Sequence, residues 1–202
     1  MPYDPDRHHR RSIRLREYDY ATAGAYFVTV VVQGRACLFG DVVDGIVHLS
    51  DPGEIILASW HEIPDRFPGV MVDQFIVMPN HIHGIIMLSG EPPVGARFIA
   101  PSATDTDDGL ILTAGSGAMN RAPTGSANTP TIGDVVRSFK AVSTRRIRAS
   151  GRPDFGWQRN YYEHVIRTEA ALDRIREYIV GNPDHWADDE ENPDNPRNRG
   201  IN

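Results

Sequence analysis

Residues 75–87 read FIVMPNHIHGIIM. Residues 70–78 and 81–88 are two β-rich apolar runs separated only by Pro79 and Asn80, which predicts one bent strand or two antiparallel ones. Side chains alternate faces along a strand, so His81 and His83 share one face and Ile82 enters the opposite layer. Two imidazoles placed side by side can share a metal ion, but the pair alone is a weak signal and needs a third ligand and a nearby nucleophile.

Upstream, residues 26–33 (YFVTVVVQ) predict a buried strand. Residues 38–49 form two short runs around Asp44-Gly45, a pair suited to a tight hairpin turn. Asp51-Pro52-Gly53-Glu54 predicts an N-cap, a first-turn proline and a capping box. The helix that follows should bury Ile56, Trp60 and Ile63 and end near Pro68. Downstream, residues 89–130 are dominated by Gly, Pro, Ala, Ser and Thr, the composition of a flexible insertion. Thr131 opens a helix with Ile132, Val135, Phe139 and Val142 on its apolar stripe and Arg137, Lys140 and Arg148 away from it. Residues 161–167 predict a short strand, and Thr168 caps a last helix that runs to about Asn182 before Pro183. The order of elements fits an α+β sandwich, an antiparallel sheet with helices packed on it.

On that last helix Leu172, Ile175 and Ile179 make the buried stripe, with Tyr178 and Asn182 one turn apart at its edge. An amide oxygen suits a hard cation such as Mg²⁺ or Mn²⁺, and imidazoles are compatible with Mn²⁺. Equally, Tyr178 reads as an amphipathic edge residue and Asn182 as a C-cap.

At 202 residues the chain is long enough for one sizeable core, and no apolar run approaches a membrane span. With no export signal in the opening residues, the cytoplasm is the expected location. Cys37 is the only cysteine, which excludes an internal disulfide and predicts a small buried residue. The net charge of -6 argues against nucleic acid until its distribution is considered. Asp184, Asp188, Asp189, Glu190, Glu191 and Asp194 crowd one C-terminal stretch, and removing those six from 27 acidic residues leaves 21, equal to the 21 basic ones. The cations cluster at Arg7, Arg10, Arg11, Arg14 and Arg16, and again from Arg137 through Lys140, Arg145, Arg146, Arg148 and Arg152 to Arg159.

In this order, RRSIRLREYDYATAGAYFVTV, FIVMPNHIHGII, VVRSFKA, WQRNYYEHVIR and REYIVGNP, the chain resembles the HUH single-tyrosine transposases, and among them the REP-associated tyrosine transposases. The resemblance spans nearly everything except the insertion and the acidic end. It implies a ferredoxin-like HUH fold, with a basic arm at 1–20, a transposase domain at 21–183 carrying the insertion at about 89–130, and an acidic tail at 184–202. It also implies a metal-dependent enzyme that cleaves and rejoins single-stranded, hairpin-bearing DNA through a 5′-phosphotyrosine, as transposition and recombination require. His81 and His83 become the metal pair, Tyr178 the nucleophile and Asn182 the third ligand, though relatives more often have Gln at that offset. Mg²⁺ or Mn²⁺ is the implied cofactor, and single-stranded or hairpin DNA the implied partner of a monomer or homodimer.

Arg10, Arg11, Arg14, Arg137, Lys140, Arg145 and Arg159 are the expected DNA-binding residues. His164 is expected to support the metal site from outside it. Trp157, Tyr161 and Tyr162 are either base-stacking or core aromatics. The acidic run from Asp184 reads as a solvated tail, with folding over the basic cleft as the alternative. Against the enzyme stands a sequence-specific DNA-binding protein or repressor derived from a transposase; a replication initiator or relaxase would share the chemistry but is commonly larger.

Overall fold

The computed structural model describes residues 23–89 and 130–195. The basic arm, with Arg10, Arg11 and Arg14, and nearly all of the insertion lie outside the described residues.

Strand β1 is Gly24–Val31, and a hairpin of β2 (Gly40–Val43) and β3 (Ile46–Leu49) follows it. Helices α1 (Asp51–His61) and α2 (Ile63–Arg66) lead to β4 (Val70–Val77) and β5 (His81–Leu88). Helix α3 (Ile132–Ala149), strand β6 (Tyr162–Ile166) and helix α4 (Glu169–Gly181) complete the regular elements. The main sheet has the order β4-β5-β1-β6, with every neighbouring pair antiparallel. Setting the β2-β3 hairpin aside, this is the ferredoxin-like arrangement, because α1 and α3 each cross over to a strand that is not the neighbour of the one they left. The two halves of residues 70–88 are thus two antiparallel strands, with Val77 opposite Ile82 and Val70 opposite Leu88.

Alternation along the strands divides the molecule. Tyr26, Val28, Val30, Ile82 and Ile86 point into the main core beneath α1 and α3, where Ile56, Trp60, Val135 and Phe139 meet them. Phe27 and Ile85 point the other way and form a smaller cluster with Ile166 and Ile179 under α4. Glu62 joins the two helices of the first layer, accepting from both terminal nitrogens of Arg146 at 2.8 Å.

Several local expectations shift by small amounts for identifiable reasons. The N-cap of α1 is Ser50, whose hydroxyl accepts from the Gly53 N–H, so the helix begins one residue earlier than Asp51-Pro52 suggests. It ends at His61 because Pro64 cannot continue its hydrogen-bond ladder. In α3 the capping box of Thr131 and Asp134 is present, but the buried stripe runs on through Ser143 and Ile147. Pro183 does not stop the chain from turning; it opens a 3-10 helix, Asn182–Asp188. Cys37 is exposed, since it lies in the connection to β2 and not at a core-facing strand position. Asp44 and Gly45 both have positive φ (51° and 74°), the conformation that a two-residue hairpin turn needs.

Gly84 shows why His-x-His is followed by glycine here. The Trp60 indole stacks on Phe75 with centroids 4.3 Å apart, and a Cβ at Gly84 would stand 2.4 Å from Trp60 and 2.9 Å from Phe75. Gly84→Ala is expected to lower stability by about 1–3 kcal/mol through overpacking. Gly181→Ala, where a Cβ meets nothing within 4 Å, should be neutral or slightly stabilising. Urea unfolding midpoints of the two variants check the pair.

Candidate active site

Strand β5 carries His81 and His83 on the face that holds the smaller cluster, and both rings are buried. Their Nε2 atoms face each other at 3.0 Å. His81 Nδ1 lies 2.9 Å from the Asn80 carbonyl oxygen, while the Asn80 amide donates to the backbone carbonyls of Arg35 and Glu191. That orientation makes the Asn80 oxygen an acceptor, so His81 is protonated on Nδ1 and its Nε2 presents a lone pair. His83 Nδ1 meets the Thr29 hydroxyl at 2.9 Å. A hydroxyl can rotate to donate or accept, so His83 can donate a hydrogen bond from its Nε2–H to His81 or present a second lone pair without moving. Burial pushes the His83 imidazole down to about 4. Burial first, and then His83, pushes His81 well below its ordinary value. Both rings are therefore neutral near neutral pH, the form in which an imidazole can ligate a metal.

Helix α4 brings Tyr178 to this pair. Its hydroxyl is 3.4 Å from His83 Nε2, and its half-exposed ring stands edge-on to Phe27 with centroids 6.0 Å apart. Arg176 on the same helix holds Asp73, at the irregularity where β4 shifts register against β5. Burial, followed by the Asp189 carboxylate, raises the Tyr178 phenol above its ordinary value, while a hydrogen bond from Asn182 opposes the shift. Asn182 is 3% exposed, and its carbonyl oxygen has no hydrogen-bond partner among the described residues. The bond to the phenol therefore comes from its NH₂ group.

Residues beyond Pro183 fold back on the site and are not simply solvated. Asp189 Oδ2 lies 3.9 Å from His81 Nε2, Trp186 packs beside His81, and Arg35 pairs with Glu191 at 2.8 Å. One ligand atom from each of His81, His83 and Asp189 falls within a 4.8 Å cluster. Two ligands each about 2.1 Å from one cation, at right angles, stand roughly 3.0 Å apart, which is the separation of the two imidazole nitrogens. The His81 Nε2 lone pair, the second that His83 Nε2 can present, a partly buried carboxylate and an orphaned amide oxygen are a donor set that fits a divalent cation. The cavity alongside, about 660 Å³, is lined by His83, Tyr178, Asn182, Tyr162 and several carboxylates.

Other predicted residues fall elsewhere. His164 shares the sheet face with the pair but sits opposite Phe27, exposed and without a hydrogen-bond partner among the described residues. Trp157 is a core residue whose Nε1 donates to Ser143. Tyr161 donates to Glu163, whereas Tyr162 is 44% exposed and lines the cavity. Arg137 pairs with Asp134, and Lys140 donates to the carbonyls of Gln158 and Arg159. Sequence reasoning did not find Asn80, Thr29 or Asp189 as members of the site. Only Asn80 carried a signal, as the polar residue next to the histidine pair.

The sheet order and the helices on it place the chain among proteins with the fold of the REP-associated tyrosine transposases. One of these, solved bound to a REP hairpin, matches with a TM-score of 0.51 at 18% identity over 86% of this chain and 73% of that one. The chain belongs to the same family as an uncharacterized protein of Haemophilus influenzae Rd, to which it is 39% identical over 188 residues, 93% of this chain and 96% of the relative. No family model matches the chain. No helix among the described residues is long and apolar enough to cross a membrane.

Proposed function

We propose that this chain is a metal-dependent single-tyrosine transposase that cleaves and rejoins single-stranded, hairpin-bearing DNA. The observation that carries the reading is the Tyr178 hydroxyl 3.4 Å from His83 Nε2, itself 3.0 Å from His81 Nε2. His81 and His83 would hold Mg²⁺ or Mn²⁺, with Asp189 and Asn182 as the candidates for further ligands. When bound, that cation supplies Lewis-acid polarisation of the scissile phosphate. Tyr178 forms the new bond from its oxygen to phosphorus as the bond from phosphorus to the 3′-oxygen breaks. The phenol proton leaves to solvent, and the departing strand ends in a 3′-hydroxyl. Attack by another 3′-hydroxyl reverses the step, rejoins DNA and returns the tyrosine.

The test is incubation of the protein with hairpin-bearing single strands and Mg²⁺ or Mn²⁺, followed by denaturing separation of covalent adducts. Adduct formation that needs the metal supports the enzyme; tight binding with no adduct supports the DNA-binding or repressor alternative.

Asp189→Asn tests the electrostatics separately. Asp189 raises the phenol, so its neutralisation should lower the Tyr178 pKa. It should also weaken Mn²⁺ binding by about 10-fold or more, on the scale of a lost ligand or its support. Ultraviolet titration of tyrosinate and calorimetric Mn²⁺ titration read the two effects. An unchanged Mn²⁺ affinity would remove Asp189 from the ligand set.

A further inference from the structure

Beyond the histidine pair, α3 and the segment 156–159 enclose an open groove of about 670 Å³. Lys140, Arg145, Arg148 and Arg159 line it, and none of its lining residues is a carboxylate. In a chain of net charge -6 this is a local concentration of positive charge, suited to a polyanion.

The four cations divide into two pairs. Lys140 donates to the carbonyls of Gln158 and Arg159, and Arg148 donates to that of Phe155, so these two tie the segment to α3. The backbone of Gln33 donates to Gly156, and that of Gln158 to Val31, which pins the same segment to the end of β1. Arg145 and Arg159 are exposed, and their guanidinium groups make no ion pair or hydrogen bond among the described residues. The groove thus has a fixed floor and two guanidinium groups available to a ligand.

The groove is also close to the tyrosine cavity along the chain. Arg159 lines the former and Tyr162 the latter, and three residue steps span at most about 11 Å. That reach is short enough for one strand to span with a few nucleotides.

We propose that Arg145 and Arg159 hold backbone phosphates of the same DNA strand that enters the tyrosine cavity, a few nucleotides from the phosphate presented to Tyr178. The groove then acts as a register stop that sets where the strand is cut. This rests on the DNA-processing reading above.

The experiment measures binding, without metal, of a hairpin-bearing DNA strand with single-stranded flanks to Tyr178→Phe protein, with and without Arg145→Ala and Arg159→Ala. Neither arginine has a partner to lose among the described residues, so the double variant should keep its unfolding midpoint. Its affinity should fall about tenfold or more at low salt, and the slope of log K against log salt should shrink by about 1.4–1.8, the value for two phosphate contacts. Neutral methylphosphonate linkages, moved one position at a time, should weaken the Tyr178→Phe protein at a small cluster of positions in one flank and have no effect there on the arginine variant. DNA binding with an unchanged salt slope, or methylphosphonate sensitivity identical in both proteins, overturns the groove assignment and leaves the tyrosine site standing. Absence of any DNA binding by the Tyr178→Phe protein overturns both readings.

Discussion

Tyr178→Phe is expected to bind a hairpin-bearing single strand as the native chain does and to form no covalent adduct. The ring stays edge-on to Phe27, so packing at the helix edge is retained. What disappears is the hydroxyl, with its long 3.4 Å approach to His83 and its bond from Asn182, a loss on the order of 1 kcal/mol in stability. The effect on chemistry is of another order, because the atom that must bond to phosphorus is gone. Tyr162→Phe keeps its ring at the cavity and should still give the adduct. Mass spectrometry of a trapped native complex should place the nucleotide on the peptide containing Tyr178. Attachment at Tyr161 or Tyr162 would preserve the reaction class and move the nucleophile; no adduct from any well-bound strand with either metal would leave the binding-protein alternative.

His81→Ala and His83→Ala carry the second large effect. Each removes one of the two facing nitrogens, and adduct formation should fall by at least about 10³-fold, the scale of several kcal/mol of lost charge stabilisation. DNA affinity should stay within a few-fold, because phosphate binding draws mainly on arginine and lysine. The two variants differ in a useful way. Loss of His81 leaves the buried Asn80 oxygen without its donor, whereas loss of His83 leaves only a Thr29 hydroxyl that can rotate. His81→Ala should therefore be the less stable of the two, by about 1–3 kcal/mol. Metal-dependent cleavage at native rate by both variants would remove the two histidines from the mechanism.

Much of this arrangement follows from periodicity. The two-residue repeat of a strand places His81 and His83 together, and the helical turn places Tyr178 beside Asn182, because both relations are local. Ile56 and Trp60 are buried for the same reason, while Ile63 is buried at the start of α2. The parts that escaped are non-local. Asn80 orients His81 only because Arg35 and Glu191, 45 and 111 residues away in sequence, offer it their carbonyls. Asp189 reaches His81 only because Pro183 starts a 3-10 turn that sends the acidic run back over the sheet. A string of carboxylates predicts hydration, and nothing in its spacing reveals that one of them is covered. The arginine-rich helix was legible as a basic surface, but which cations are spent on holding backbone carbonyls depends on where the segment 156–159 crosses it.

The main sheet has two unequal sides, a large core beneath α1 and α3 and a small cluster under α4 next to the histidines. Folding energy is concentrated on one side and the proposed chemistry lies on the other, so the two can be perturbed separately. On the proposed reading, substitutions around the tyrosine would silence the chemistry and leave a well-formed protein. A methyl group added at Gly84 does the opposite, spoiling the scaffold while leaving every reactive side chain in place.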